Sequence, residues 1–266
     1  MADPSHHPGR TEGHGAHVLW AGLTAKVLCA AAEGDVPVLF PVASTEQHGP
    51  HLATGVDSVL CSHVCHTAAL SLYDQGIETL VLPTLWAGMA EHHMAFGGTL
   101  TVSLATYQAV IGEVCGSVLR HGFKRILIVN GHGGNIAPLA AMAPDLARIL
   151  GVAVPVTTYF DLVEEPFAGV LEDQTSVLHA GEAETSMMMV AAPHLVDETA
   201  FGEAHGGDAF LAARASGVGG YKSFKDFTPS GVIGNARRAS TKKGEQLVAL
   251  AAAALADLVA SGTPWR

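Results

Sequence analysis

Three short segments of this chain gather the residue types that hold cations and move protons. The first reads Ser44-Thr45-Glu46-Gln47-His48-Gly49-Pro50-His51, with Asp57 following. Glu46 and His48 stand two apart, and in an extended chain side chains at that spacing point the same way. A carboxylate and an imidazole then project together. Asp57 falls at an expected helix start, where it can be a ligand or an N-cap. The second segment is Gly131-His132-Gly133-Gly134-Asn135. Its glycines allow tight turns and close approach of a ligand. Neither the dinucleotide fingerprint nor the P-loop spacing is met, so His132 reads as a metal ligand rather than part of a phosphate cradle. The third segment is His179-Ala180-Gly181-Glu182-Ala183-Glu184-Thr185-Ser186. On a helix, His179 and Glu182 share a face at i, i+3 while Glu184 points elsewhere. Glu184 can then serve the helix start, with Thr185 and Ser186 bonding locally.

Together Glu46, His48, Asp57, His132 and Glu182 offer three carboxylates and two imidazoles. That set can bind two divalent metals with one carboxylate bridging. None of the four cysteines (Cys29, Cys61, Cys65, Cys115) falls in these segments. An oxygen- and nitrogen-lined site favours Zn²⁺, with Mn²⁺ or Fe²⁺ as alternates, over thiolate chemistry. Two closely spaced metals lower the pKa of a shared water and polarise a carbonyl, which is hydrolytic chemistry.

The elements that must position these segments follow from hydrophobic periodicity. Strands are expected over 38–43, 78–82, 125–129 and 152–159. Pro41 is awkward in the first of these because it cannot donate to a ladder. Helices are expected from near Asp57 (with Leu60, Val64, Ala68 and Leu72 recurring), over 103–121 (with Val110, Val114 and Leu119 inward) and over 136–150. A further helix carries residues 187–192, and a final one spans 241–261, with Leu247, Ala251, Leu255 and Leu258 on one face. Residues 196–240 are Gly-rich and give no assignment; His205-Gly206-Gly207-Asp208 within them reads as a lid or an intersubunit contact. Alternating strands and helices imply an α/β fold with a mostly parallel sheet covered on both faces. Ligands in such folds bind beyond the carboxyl ends of the strands, which singles out the loops after residues 43, 83, 129 and 159.

Composition narrows the function classes. The 266 residues are 48% hydrophobic and 15% charged, enough for a full core and unlike a disordered chain. Net charge is −11 and no basic stripe is present, which argues against nucleic acid as a partner. No run of apolar residues is long enough for a membrane span. Four cysteines make no disulfide framework, and the N-terminus lacks a signal-peptide layout, so a cytoplasmic protein is expected. Residues 1–17, with His6, His7, His14 and His17 amid Pro and Gly, read as a flexible tail ahead of one domain over 18–266. Cys61, Cys65 and His66 resemble a metal pattern but lie on an amphipathic helix, where packing explains them; Met187-Met188-Met189 reads as helix core.

The segments around Glu46 and His132, the His179–Ser186 segment, and Ala239-Ser240 with Lys243-Gly244-Glu245 resemble, in the same order, four motifs of the creatininase (creatinine amidohydrolase) family. The resemblance runs from about residue 18 to residue 260. It implies a three-layer α/β/α sandwich with a mostly parallel central sheet, two divalent metal ions per subunit and often a homohexamer. It also implies hydrolysis of a C–N amide bond in a small molecule by a hydroxide bridging the metals. Residue by residue, Glu46, His48, Asp57 and His132 match family ligands, with Asp57 in the bridging place. Creatininase has a glutamate two residues after its matching histidine; here that position is Gly134, and the last ligand is assigned to Glu182. His179 and Glu182 are the expected catalytic residues, His179 delivering a proton to the leaving nitrogen. His93, Tyr159 and Gly133 are the expected substrate contacts, and His51 is placed to support a ligand.

Departures from creatininase bear on the substrate. Gly133 replaces a tyrosine, Phe160 and Thr175 align with two tryptophans, and Leu178 replaces an acid. The Phe-Pro-Gly-Thr segment of the family reads Phe96-Gly97-Gly98-Thr99. These changes point away from creatinine; within the amidohydrolase class, another cyclic amide or an N-formyl compound is expected ahead of a peptide. Two alternatives stay open: a peptidase trimming a modified precursor peptide, and a non-catalytic metal- or metabolite-binding module.

Overall fold

A computed structural model describes residues 15–215 and 220–266. Four strands, β1 (Val38–Val42), β2 (Leu80–Val81), β3 (Ile126–Asn130) and β4 (Val156–Thr158), form one sheet in the order β2-β1-β3-β4. All pairings are parallel. Because the strands alternate their side chains, each face of the sheet receives its own apolar set. Leu39, Val81, Leu127 and Val129 join one core; Val38, Phe40, Val42, Ile126 and Ile128 join the other.

Helices cover both faces. On the second face lie α1 (Ala25–Glu33), α3 (Leu104–Arg120) and α4 (Ile136–Leu150). On the first lie α2 (Val56–Asp74), the short α5 (Glu164–Ala168), α6 (Glu182–Ala191) and α8 (Thr241–Ala260). The expected α/β/α architecture is present. Thr24, Ser103 and Ser240 cap α1, α3 and α8, each accepting a backbone N–H from the first turn. Among the described residues, no helix is long and apolar enough to cross a membrane.

Pro41 fits in β1 because of where β2 ends. The carbonyls of Pro37, Leu39 and Pro41 accept from the N–H groups of Leu80, Leu82 and Leu85, so odd-numbered residues bond towards β2. β2 pairs with β1 only at Val38 and Leu39, so no ladder partner requires the N–H that Pro41 lacks. The inward face of α3 differs from the expected one. Tyr107, Ile111, Cys115 and Val118 are buried, Val114 and Leu119 are half-buried, and Val110 is exposed. Small residues in the helix (Gly112, Gly116) blur the periodicity there.

The unassigned stretch contains β5 (His205–Gly206), paired antiparallel with β6 (Gly234–Asn235), and α7 (Asp208–Ala215). His205-Gly206-Gly207-Asp208 therefore makes a strand and a helix start, with Gly207 at φ 98°. Of the expected tail, residues 1–14 lie outside the described residues. Ala16–Val18 form a 3-10 turn, and the His17 ring packs on Tyr73 at 4.3 Å.

Gly244 sets the α6–α8 contact. A Cβ there would stand 1.9 Å from the Ser186 carbonyl oxygen. Gly244→Ala must force the two helices apart and is expected to cost about 2–3 kcal/mol. Urea unfolding measures this; an unchanged midpoint would contradict it.

Candidate metal centre

β1 and β3 are neighbours whose connections leave in opposite directions, β1 running on to β2 and β3 to β4. This is the switch point at which open parallel sheets bind ligands. The loop after β1 carries Glu46 and His48, the loop after β3 carries His132, and α2 and α6 start beside them. The three helices that open here, α2, α4 and α6, have no side-chain N-cap bond. Their N-terminal N–H groups and dipoles make the place favourable for negative charge.

Four of the five sequence-derived ligand candidates converge. Asp57, the second residue of α2, faces inward instead of capping the helix: its Oδ1 is 3.1 Å from His48 Nε2 and its Oδ2 3.0 Å from His132 Nδ1. Glu46 Oε2 lies 3.2 Å from His132 Nε2. Three overlapping groups result, each with ligand atoms within 4.8 Å of one another: Glu46–His48–His179, and the pair Glu46–Asp57–His132 and His48–Asp57–Glu184. Asp57 belongs to both members of the pair. Glu46 Oε2, His48 Nε2 and Asp57 Oδ2 are buried without a hydrogen-bond partner. Buried lone pairs converging in this way suit a hard or borderline divalent cation.

Glu182 is not brought to this cluster, and Glu184 is. Glu184 Oε2 is 3.7 Å from His48 Nε2 and accepts from the N–H of Ala180. Glu182, fully buried, faces away: its carboxylate lies 2.6 Å from Lys243 Nζ and accepts from the N–H groups of Glu172 and Asp173 at 3.0 Å. The expected shared face of His179 and Glu182 fails because α6 begins only at Glu182. His179 is in a backbone bridge with Ile233, and Ala180 takes φ 53°. Residues two apart on a helix point about 200° apart, so only one of the two glutamates can face the cluster.

Backbone and side-chain hydrogen bonds fix the imidazoles. His48 Nδ1–H donates to the Glu46 carbonyl at 3.0 Å, leaving Nε2 aimed at Asp57. His93 Nδ1 accepts from Gln47 Nε2 at 2.9 Å, so His93 Nε2–H points to Glu46 Oε1 at 3.2 Å. His179 Nε2–H donates to the Gln47 carbonyl at 2.9 Å and presents Nδ1 to Glu46 Oε1 at 3.6 Å. His51 bonds Thr185 Oγ1 at 2.8 Å behind His48. The sequence had assigned no role to Asn135, which ties the loops together. Its Nδ2 donates to the Ala43 carbonyl, and its Oδ1 accepts from the Met89 N–H. Gly134 cannot carry a side chain here, since a Cβ would stand 2.3 Å from His132 Nε2.

The cluster sits at the base of a cleft of about 860 Å³. His93 and Gly133, two of the three expected substrate contacts, line it. Tyr159 does not: it is buried in the core beneath, and the neighbouring Phe160 reaches the cleft instead. Tyr159 leaves the strand end pointing into the α2–α6 side, which strand alternation had left undecided.

Electrostatics follow from three buried carboxylates. Burial alone would lower the His48 pKa, but Asp57, Glu184 and Glu46 outweigh it and raise it to about 9. His132 is raised well above its usual range, Glu46 and Asp57 overriding its burial. Burial raises Glu184 to about 7. Other histidines go the other way: burial, with neighbouring histidines adding to it, lowers His51 and His92 to about 4 and His93 to about 2. These shifts fix the pH dependence of the metal-free protein. Raised pKa values give stability that is lost as pH rises from the unfolded value through the folded one, for His48 between 6.5 and about 9. Lowered histidine values give stability that is lost as pH falls below 6.5. Chelated protein is therefore expected to melt highest near pH 6.5, with each flank falling by several degrees. Calorimetry across pH 4–10 measures it; a flat profile, or a maximum at pH 9 or above, would contradict it.

The fold and site define an α/β protein with a parallel sheet and a buried carboxylate–imidazole cluster at its switch point, where such sheets take their ligands. The sequence profile of the creatininase (creatinine amidohydrolase) family matches residues 21–259, and the chain belongs to that family. Among characterised relatives, creatinine amidohydrolase of Pseudomonas putida is 28% identical over 92% of this chain and 95% of its own. The mycofactocin precursor peptide peptidase of Mycolicibacterium smegmatis is 29% identical over 86% of each. A creatininase crystal structure superposes with a TM-score of 0.78 at 27% identity, over 94% of this chain and 99% of that one. Creatininase structures described as Zn-Zn type and as Mn forms share the fold, with TM-scores of 0.77 and 0.76 at 26% and 25% identity.

Proposed function

We propose that this protein is a binuclear metal-dependent amidohydrolase acting on a small C–N amide, either a cyclic amide or an N-formyl compound. The observation that carries this is the pair of ligand groups sharing Asp57 at the base of the cleft. Glu46, Asp57 and His132 would hold one ion, and His48, Asp57 and Glu184 the other, with Glu184 taking the role expected of Glu182. Bound there, two divalent ions supply carbonyl polarisation and a water acidified into the neutral range. Zn²⁺ suits the donor set, and Mn²⁺ and Fe²⁺ are alternates.

The chain's own groups handle orientation and protons. The Gln47 carbonyl holds His179 Nε2–H, so Nδ1 is the atom that receives a proton and hands it to the leaving nitrogen. His93, neutral and held by Gln47, donates to Glu46 and keeps that carboxylate oriented. The similarity to a precursor peptide peptidase, together with a cleft larger than a small ring needs, supports peptide trimming as a second reading. A homo-oligomer, hexameric by family likeness, is supported by the exposed Trp86, Met94, Leu100 and Leu104. A cytoplasmic setting is supported by four unpaired cysteines.

The test is turnover of an amide panel by Zn²⁺- or Mn²⁺-loaded protein before and after chelation. Chelation is expected to remove activity on at least one amide, and metal to restore it, with creatinine not turned over. Activity that survives complete metal removal would overturn the proposal.

A further inference from the structure

The cleft extends well past the carboxylate–imidazole cluster, and its outer wall has a chemistry of its own. Phe224 packs against the rings of His93 and His179, with centroids 4.1 and 4.8 Å apart. Phe210 lies 6.2 Å beyond Phe224, and Phe227 lies 5.5 Å beyond Phe210. Lys222 Nζ stands 5.5 Å over the Phe227 ring. All four side chains line the cleft, so a run of aromatic faces leads from the histidines to an ammonium. Among the described lining residues Lys222 is the one lysine or arginine, while Glu46, Asp57, Asp161, Glu164 and Glu184 are acidic. Its described contact is the ring face of Phe227. A cation–π contact at an exposed site is weak, and it leaves the ammonium's hydrogen-bond donors free for an anion.

We infer that the substrate carries an apolar or aromatic substituent ending in a carboxylate, laid along Phe224, Phe210 and Phe227 and met by Lys222. This rests on the cluster being the hydrolytic centre proposed above. A cleft of about 860 Å³ has room for such a molecule. Apolar contact along the rings supplies affinity. The ammonium supplies selection, because a neutral analogue leaves it on Phe227 and gains nothing there.

Two inert probes test this without turnover: phenylenedipropionate, with a carboxylate at each end, and phenylpropionate, with one. Their dissociation constants are measured by calorimetry on the metal-loaded wild type, Lys222→Glu, Lys222→Arg and Phe227→Ala. The dicarboxylate is expected to bind the wild type about fivefold tighter than the monocarboxylate. Lys222→Glu is expected to abolish that advantage, Lys222→Arg to keep it, and Phe227→Ala to weaken both probes. Lys222 is exposed, so its variants leave the fold unchanged. No dicarboxylate advantage in the wild type, or one that survives Lys222→Glu, overturns the inference. If the advantage depends on Lys222 but no amide is turned over, the hydrolase proposal fails while the ligand class stands.

Discussion

Glu184→Gln is expected to lower metal content by one ion per chain and kcat/KM by at least about 10²-fold, while Glu182→Gln keeps the wild-type metal content. The two carboxylates stand two residues apart in one buried helical turn, and their surroundings separate them. Glu184 is 3.7 Å from His48 Nε2 and shares a ligand group with Asp57. Glu182 is held by Lys243 and two backbone N–H groups on the other side of α6. Removing the charge of a ligand costs more than the 10- to 100-fold typical of a supporting residue. At about 1.36 kcal/mol per tenfold, the expected loss is at least about 2.7 kcal/mol of transition-state stabilisation. Metal analysis and kinetics on both variants measure it. Equal metal loss in the two, or loss confined to Glu182→Gln, would reverse the assignment.

Lys243→Met is expected to give the opposite phenotype, a loss of stability with metal retained. Lys243 Nζ bridges Glu182 at 2.6 Å and Glu172 at 2.7 Å and reaches the Arg238 carbonyl. Burial alone would lower its pKa, but Glu172 and Glu182 outweigh that and raise it. Without the ammonium, a fully buried Glu182 keeps only backbone donors, and leaving a buried charge unpaired costs about 3 kcal/mol or more. The double variant Lys243→Met, Glu182→Met removes both charges and is expected to recover most of that loss. Urea unfolding of the single and double variants decides it. A single variant as stable as the wild type would show that the pair does not support the loop at 172–174.

Much of this architecture was legible in the chain. Leu60, Val64, Ala68 and Leu72 mark the buried face of α2, and all four are inaccessible. The apolar runs that end at Val42 and Asn130 place Glu46, His48 and His132 at neighbouring strand ends, where the parallel-sheet rule puts ligands. The misplaced glutamate shows the limit of periodicity. Which of Glu182 and Glu184 faces inward depends on where α6 starts, and that is set by a left-handed residue, Ala180, and by a backbone bridge to Ile233. Neither leaves a mark in local spacing. The stretch from Phe210 to Phe227 was unreadable for a related reason. Its aromatic residues have no common period, and only their return to the cleft gives them a shared surface. Lys243-Gly244, conspicuous in sequence only through family likeness, has a physical basis in the structure. The lysine pairs with Glu182, and the glycine lets α8 approach Ser186.

The central claim is that two ions share Asp57. Elemental analysis of gently purified wild-type protein beside Asp57→Asn tests it most directly. About two divalent ions per chain in the wild type, and neither in Asp57→Asn with the fold intact by circular dichroism, is the predicted result. Wild-type protein that takes up no metal after reconstitution, or an Asp57→Asn variant that keeps both ions, would contradict it.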